Sequence, residues 1–270
     1  MNSVTVASVQ FDGLPGRVDA NLGRMVKLID DAAAQGAELV AFPEVAASDY
    51  FGTDFASLAS PVPGDQFAVL ARAAARCGVF VAAGLLEKSP RGLHNTVVLI
   101  DPDGALAGTC RKTHLSLGHY DPSIAREVDV LVPGEDLPVF DTPFAKVGVM
   151  ICKDGDYPEV PRILAVRGAE IILWLTNRPG VKRGSAAYHA ASNCAAVAVA
   201  NRAQGHARGG HSAVFDWKGN VVAEAGAGET IIRAGLDMVA MRQSRAVHWN
   251  EERVRRPELY RALSSKGNPA

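Results

Sequence analysis

Long apolar runs are absent from this sequence. The two longest, "GVFVAAGLL" (78–86) and "AAVAVA" (195–200), are far shorter than the roughly 20 residues of a membrane-spanning helix. An excess of one charge is absent too, because the net charge is −1, and this excludes an electrostatic footprint for nucleic acid or an anionic membrane. The segment "MNSVTVASVQF" enters a strand pattern at once, without a basic region followed by an apolar one, so we expect no signal peptide.

Cysteine is scarce as well. The four residues, Cys77, Cys110, Cys152 and Cys194, are scattered and form no CxxC pair. Such spacing argues against a disulfide scaffold, and with no signal peptide it favours a cytoplasmic protein with free thiols. Apart from Cys152, these cysteines lie in helix-like or strand-like runs, and we interpret them as core residues.

A metal-binding pattern is also missing. Four histidines stand near one another in pairs, in "HLSLGH" and "HARGGH": His114, His119, His206 and His211. Neither pair has a cysteine or carboxylate at the spacing of a metal site, so we predict no metal.

Short β-branched apolar runs alternate with helical patterns along the chain. Strands are predicted over 3–11, 37–42, 78–87, 94–101, 145–152, 170–175, 195–202, 211–216 and 231–236. Helices are predicted over 18–36 and 64–78, each ending at a glycine, and over roughly 158–168 and 184–194. This alternation indicates an α/β protein with layered sheets.

Two antiparallel hairpins are predicted from Asp-Gly and Gly-Asn turns, in "LIDPDGALAG" (99–108) and "VFDWKGNVVAE" (214–224). They lie about 110 residues apart, which suggests two halves of similar architecture. No linker is visible between them, and we predict a single domain over residues 1–270.

Cys152 stands where an apolar strand ends, in "GVMICKDGDYPE" (148–159), ahead of a turn and of a helix start near Pro158. A nucleophile at such a position is exposed at the sheet edge, where backbone N–H groups can bind an oxyanion. A buried core cysteine is the alternative interpretation.

Two charged residues also follow apolar runs. Glu44 ends "LVAFPE", and Lys112 follows the first hairpin in "GTCRKTHL". Taken singly, each is typical of a solvated loop. Together with Cys152 they suggest chemistry, since a carboxylate can accept a thiol proton and an ammonium can stabilise an oxyanion.

The segments "FPE" (42–44), "RKTHL" (111–115) and "GVMICKDGDYPE" resemble, in order, the three signatures of the nitrilase superfamily of carbon–nitrogen hydrolases. The resemblance extends from "VASVQFD" (6–12) to "RRPELY" (255–260). It implies a four-layer αββα sandwich and a homodimer or higher homo-oligomer. The charged tail (about 242–270) is expected at the dimer interface, and packing onto its own domain is the alternative. It also implies hydrolysis of a small amide through a cysteine thioester, without metal or organic cofactor.

The resemblance assigns roles to single residues. Cys152 is the nucleophile, Glu44 the general base, and Lys112 binds the oxyanion together with the backbone N–H of Lys153. Many members have a second glutamate shortly before a Pro-Gly, and Glu127 in "REVDVLVPGED" fits that place. Glu135 is the competing choice, but it follows the Pro-Gly, so we prefer Glu127.

The chain departs from the family's pattern at two cations. Lys153 follows the cysteine where relatives often have an aromatic or a small polar residue, and Arg178 stands where many have an aromatic or small pocket residue. If both face the pocket, the substrate is anionic, because an arginine binds a carboxylate bidentately. The alternatives are that only the backbone of Lys153 matters and that Arg178 lies in a surface loop. Tyr50 and Trp174 are candidate pocket walls, with core packing the alternative for Trp174.

Other functions remain open at this point. "CKDGDYPE" resembles the amidase branches more than the nitrile branch, yet a carbamoylase or a nitrilase shares the same three residues. A non-catalytic interaction protein that keeps the fold is a candidate of another class, but it has no need for an intact Glu44, Lys112 and Cys152. A thiol redox protein lacks a visible resolving cysteine.

Overall fold

Two six-stranded mixed sheets pack face to face, and helices cover their outer faces. The computed structural model describes residues 2–49, 54–118, 126–205, 208–248 and 255–264. In the first sheet the strand order is β12-β1-β2-β3-β4-β5, with β1 Ser3–Gln10, β2 Leu39–Ala41, β3 Phe80–Ser89, β4 Gly92–Ile100, β5 Leu106–Arg111 and β12 Thr230–Asp237. In the second it is β11-β10-β9-β8-β7-β6, with β6 Val139–Asp141, β7 Lys146–Ile151, β8 Ile171–Leu175, β9 Ala196–Ala200, β10 Ala213–Phe215 and β11 Val221–Glu224.

The helices are α1 Val18–Ala34, α2 Phe55–Leu58, α3 Asp65–Cys77, α4 Glu127–Val130, α5 Glu159–Val166, α6 Arg183–Asn193 and α7 Met238–His248. Helices α1, α2, α3, α5 and α6 connect parallel strands within each sheet, whereas α4 lies between β5 and β6 and α7 follows β12. As predicted, α3 ends at Gly78, which has a left-handed backbone conformation (φ +66°) that glycine adopts without strain. None of the described helices is long and apolar enough to cross a membrane.

The two sheets repeat one strand order. Parallel strands β1-β2-β3 lead into the antiparallel β4 and β5, and β7-β8-β9 lead in the same way into β10 and β11. The similar halves suggested by the two hairpins are therefore present.

Three apolar clusters hold the layers together. One lies between the sheets and includes Val6, Val149 and Leu173. The other two lie between each sheet and its helices, α1 and α3 on one side and α5 and α6 on the other. Strands buried on both faces need apolar residues at nearly every position, which explains the continuous runs in the sequence. The prediction of a four-layer αββα sandwich is confirmed.

The structure differs from the sequence predictions around residues 152–156 and at the start of the tail. The turn predicted at residues 154–156 is part of a 3-10 helix, Cys152–Asp156, which begins directly at the cysteine, and α5 then begins at Glu159, next to the predicted start near Pro158. Residues 242–248, counted in the tail by the sequence analysis, belong to α7, a helix that was not predicted and whose Met238 and Met241 are buried in the cluster between the sheets.

Candidate active site

Three strand ends bring Glu44, Lys112 and Cys152 together. Glu44 follows β2, Lys112 follows β5 and Cys152 follows β7. Lys112 Nζ donates hydrogen bonds to Glu44 Oε1 at 2.7 Å and to Glu127 Oε1 at 2.8 Å. Gly84 in β3 permits this arrangement, because a Cβ there would lie 2.4 Å from the Val45 backbone nitrogen.

The structure places Glu127, and not Glu135, beside Lys112. Glu127 is buried at the start of α4, and its second carboxylate oxygen accepts a hydrogen bond of 2.5 Å from the Ser116 backbone N–H. Glu135 is exposed and pairs with the Arg91 guanidinium at 2.7 Å. Of these two glutamates, Glu127 is therefore the one whose carboxylate contacts the buried ammonium.

Asn95 is a member of this cluster that the sequence reasoning missed. Its buried side-chain amide donates to Glu44 Oε1 at 2.8 Å and to Glu127 Oε1 at 3.4 Å. A polar residue inside the apolar strand "HNTVVLI" was the signal available for it, since buried polar groups need partners. The amide and the ammonium together hold both carboxylates in place.

Lys112 keeps its positive charge in this buried site. Burial by itself would lower the pKa of the ammonium, but the nearby Glu44, Cys152 and Glu127 outweigh it and raise the pKa above its ordinary value. A charged donor is thus available inside the protein, where electrostatic interactions are stronger than in water.

Cys152 has a strained backbone. Its φ of +44° lies in the left-handed region, which costs a residue other than glycine about 1–3 kcal/mol. Two hydrogen bonds hold the neighbouring peptide groups: the indole Nε1–H of Trp174 donates to the Cys152 carbonyl at 2.8 Å, and the Ile151 N–H donates to Asp154 Oδ2 at 3.0 Å. The surrounding structure therefore imposes this conformation.

Trp174 does not line a substrate pocket, contrary to its prediction as a substrate-binding residue. Its side chain is buried in the cluster between the second sheet and its helices, with its indole against Gly155. The side chains of a strand alternate between the two faces of its sheet, and the Trp174 side chain points to the face that α5 and α6 cover. The core-packing alternative is correct, with an added hydrogen bond to Cys152.

Arg178 lies against the nucleophile candidate. Its Nη2 is 3.0 Å from Asp156 Oδ1, and its guanidinium lies 5.7 Å from the centroid of the Trp174 ring. Burial would lower the pKa of Arg178, but the Cys152 thiol and Asp156 raise it. The backbone N–H of Arg178 donates to Asn201 Oδ1 at 2.9 Å, which fixes the loop. The alternative of a free surface arginine is therefore excluded.

Arg202 is a second buried cation that was not predicted individually, although "VANR" carries it. Its Nη1 donates to Asn177 Oδ1 at 2.8 Å and its Nε to the Arg208 carbonyl at 2.6 Å. Burial lowers the pKa of the Arg202 guanidinium, whereas nearby acidic groups, Asp49 among them, raise it. The Cys152 thiol also lies near enough to raise it. Lys112, Arg178 and Arg202 therefore all lie near the cysteine, together with the carboxylates of Glu44 and Glu127.

The remaining candidates divide into three groups. Lys153 is half-buried, and its ammonium has no hydrogen-bond or ion-pair partner within the described part of the chain. Tyr50, His119 and His206 lie outside the described residues. His114 stacks on Tyr157 with ring centroids 4.0 Å apart, and in the described ranges no group of histidines, cysteines and carboxylates is arranged to hold a metal.

The Cys152 thiol holds its proton at neutral pH. Burial and then the Glu44 carboxylate raise its pKa to about 11, with Lys112 and Arg178 acting in the opposite direction. We therefore expect the alkylation rate of Cys152 by iodoacetamide to rise steadily from about pH 7 to about pH 10, because the thiolate fraction grows throughout this range. Mass spectrometry of the Cys152 peptide measures this rate separately from that of Cys77. A rate that is already constant at pH 7 would contradict the raised pKa.

Comparisons with known proteins agree with this geometry. A profile described as carbon-nitrogen hydrolase matches residues 5–246. Omega-amidase NIT2-A of Xenopus laevis is 34% identical over 275 residues, covering 96% of this chain and 98% of that protein. Omega-amidase NIT2 of Homo sapiens is 31% identical over 256 residues, covering 91% and 92%. Among solved structures, Nit3 of Saccharomyces cerevisiae, a member of branch 10 of the nitrilase superfamily, has 29% identity and a TM-score of 0.83, covering 94% and 97%.

The matched region contains all the site residues described above and both sheets except the first two residues of β1. This chain therefore belongs to the carbon–nitrogen hydrolase family and is an enzyme that hydrolyses C–N bonds other than peptide bonds.

Proposed function

We propose that this enzyme is an amidase that removes ammonia from the terminal amide of a small, carboxylate-bearing compound, through a thioester on Cys152. The observation that carries the proposal is the buried Lys112 ammonium, held at 2.7 Å by Glu44 and 2.8 Å by Glu127 beside a strained cysteine. Burying three charged groups together is costly, and such a cluster is typical of a catalytic site.

Acylation begins with attack of the Cys152 sulfur on the amide carbonyl carbon. Glu44 accepts the thiol proton, which the raised pKa of Cys152 makes necessary at neutral pH. The carbonyl oxygen becomes an oxyanion, bound by the Lys112 ammonium and the Lys153 backbone N–H. When the C–N bond breaks, Glu44 returns the proton to nitrogen, so that ammonia leaves and a thioester remains.

Deacylation reverses these roles with water as the nucleophile. Glu44 accepts a proton from water as its oxygen attacks the thioester carbon, and the same two donors bind the second oxyanion. The C–S bond then breaks, the proton returns to sulfur, and the carboxylic acid is released. Glu127 and Asn95 keep Lys112 and Glu44 aligned through both steps. These steps use side chains of the protein, the Lys153 backbone N–H and water.

The cations around Cys152 support an anionic substrate. The Arg178 and Arg202 side chains lie near enough to the Cys152 thiol to act on it, and the half-buried Lys153 follows it in sequence, whereas a neutral amide needs no such charge. The relatives named omega-amidase are consistent with an amide at the end of a molecule that has another recognised group. Arg178 is the better carboxylate ligand, because a guanidinium can bind two carboxylate oxygens at once and the Nε and Nη1 of Arg202 already donate to the Arg208 carbonyl and to Asn177.

Replacing Arg178 with glutamine should raise KM for acidic amides by about 10- to 100-fold, because one charge-assisted hydrogen bond to the substrate is lost. KM for neutral amides should change far less. The matched control is Arg183→Gln, at an exposed arginine that pairs with Glu224. Equal effects of Arg178→Gln on acidic and neutral amides would contradict carboxylate recognition.

An amide panel tests the proposed function as a whole. Ammonia release is measured for acidic, neutral and basic amides, for N-carbamoyl compounds and for nitriles. The proposal expects the highest kcat/KM with acidic primary amides. Preferential turnover of N-carbamoyl compounds or nitriles would instead support a carbamoylase or a nitrilase, which use the same nucleophile in a different pocket.

We propose that the enzyme is a homodimer and that the tail packs on a second copy. Residues 257–264 form two short 3-10 helices without a buried residue, and Leu259 and Leu263 are 64% and 66% exposed. Apolar side chains clustered in this way favour a protein partner. Deleting the residues after His248 should lower the mass found by sedimentation, and an unchanged mass would contradict the proposal.

We also propose a cytoplasmic location. All four cysteines are free thiols, as expected for a reducing compartment. Cell fractionation with an antibody against the protein tests this, and recovery outside the cytoplasmic fraction would contradict it.

A further inference from the structure

Asp154 is a carboxylate with no solvent exposure, two residues after Cys152. In the sequence, Asp154 lies in the predicted turn that follows Cys152. In the structure it contacts another part of the chain, the segment that carries Lys112. A carboxylate with no exposure is costly unless its oxygens accept hydrogen bonds, so these contacts indicate what it does.

Asp154 Oδ1 accepts hydrogen bonds from the residues that follow Lys112. The Thr113 hydroxyl donates at 2.8 Å and the His114 backbone N–H at 2.8 Å, and the Thr113 N–H lies at 3.2 Å. His114 Nδ1 is also 3.0 Å away. One carboxylate oxygen thus fixes the chain directly after Lys112.

The other oxygen fixes the chain directly before Cys152. Asp154 Oδ2 accepts the Ile151 N–H at 3.0 Å. Ile151 is the last residue of β7, and Cys152 then takes its left-handed conformation. The two segments come from different sheets, which no backbone ladder joins at this point.

From this geometry we infer that Asp154 is a positioning residue, which sets the distance between the Cys152 sulfur and the Lys112 ammonium across the gap between the two sheets. The inference rests on the proposed function, in which these two groups bind the same carbonyl. An oxyanion must lie within hydrogen-bond distance of Lys112 while its carbon is bonded to Cys152, so a small shift of one segment weakens the interaction.

Asparagine tests this role because it has the shape of aspartate but accepts at one oxygen only. In Asp154→Asn, an NH2 group replaces one of the two accepting oxygens. It then faces either the Ile151 N–H or the donors of Thr113 and His114, and in both orientations a hydrogen-bond donor is placed against another donor. We expect kcat to fall by about 100-fold, as for a misplacement of about 1 Å, with KM close to the wild-type value. Thr113→Val removes a single donor and should lower kcat by about 10-fold.

Alkylation separates positioning from loss of fold. Iodoacetamide attack on Cys152 needs no oxyanion site, so its rate in Asp154→Asn should stay close to wild type while amide turnover falls. The matched control is Glu170→Gln, at the opposite end of β7. The Glu170 carboxylate likewise accepts a hydrogen bond from a backbone N–H, that of Lys146, at 3.0 Å. This control should retain kcat.

Four variants are assayed together: Asp154→Asn, Thr113→Val, Glu170→Gln and Cys152→Ala. Wild-type kcat in Asp154→Asn and Thr113→Val, with an inactive Cys152→Ala, would overturn the positioning role alone. Equal losses of turnover and Cys152 alkylation in Asp154→Asn and Thr113→Val would also overturn it, since they indicate general disruption. Turnover in Cys152→Ala would instead refute the proposed function. Selective loss of turnover in the first two variants supports the inference.

Discussion

Replacing Cys152 with alanine should abolish amide hydrolysis, with a loss of kcat on the order of 10⁶-fold, as for removal of a nucleophile that acts together with its base. No other thiol can take its place: Cys110 and Cys194 are buried within the core, and Cys77 hydrogen-bonds Asp30 at 3.1 Å on the outer helices. Ammonia release over long incubations measures the residual rate.

Cys194→Ala is a close control for this variant. Cys194 is buried and has a φ of +45°, almost the same as that of Cys152, so both substitutions remove a thiol from a strained backbone position. Cys194 lies at the end of α6, away from Lys112, and its replacement should leave kcat unchanged. Similar kcat values in the two variants, whether high or low, would contradict nucleophilic catalysis by Cys152.

Replacing Lys112 with methionine should lower both activity and stability. The loss of a charged oxyanion donor should reduce kcat by about 10²- to 10³-fold. The same change leaves Glu44 and Glu127 buried without their cation, and removing one partner of a buried ion pair costs about 3–5 kcal/mol of unfolding free energy. Ammonia assays measure the first effect and urea denaturation the second.

Lys146→Met provides the comparison for Lys112→Met. Lys146 pairs with Asp141 at the same short distance, 2.7 Å, but both side chains are largely exposed, and water screens the interaction. Its replacement should change neither kcat nor the free energy of unfolding appreciably. If Lys112→Met were as stable and as active as Lys146→Met, the buried cluster would contribute neither to catalysis nor to stability.

Much of the fold was predictable because its strands are buried on both faces. Runs such as "EIILWL" show no alternation of apolar and polar residues. The length of these runs and their β-branched residues therefore identified β8 and its parallel neighbours. Helix α7 was missed because its charged residues resemble a solvated tail. Its buried residues, Met238 and Met241, are few, and they become apparent only when the two sheets are in place.

The site was predictable where residues end strands and carry reactive groups, as Glu44, Lys112 and Cys152 do. It was not predictable where a side chain acts through a distant partner. Asn95 contacts Glu44 across 51 positions of the chain, and Asp154 contacts Thr113 across 41. The direction of Trp174 was equally hidden, since alternate residues of a fully buried strand are all apolar.

The central claim is that an amide acylates Cys152, and trapping the acyl-enzyme tests it most directly. The enzyme is mixed with a saturating amide substrate from the panel, quenched in acid during turnover, and examined by intact mass and peptide mass spectrometry. We predict a mass increase equal to the substrate's acyl group less one hydrogen, on the Cys152 peptide alone. Turnover with no adduct on Cys152, or an adduct on another residue that forms and decays at the rate of ammonia release, would contradict the account.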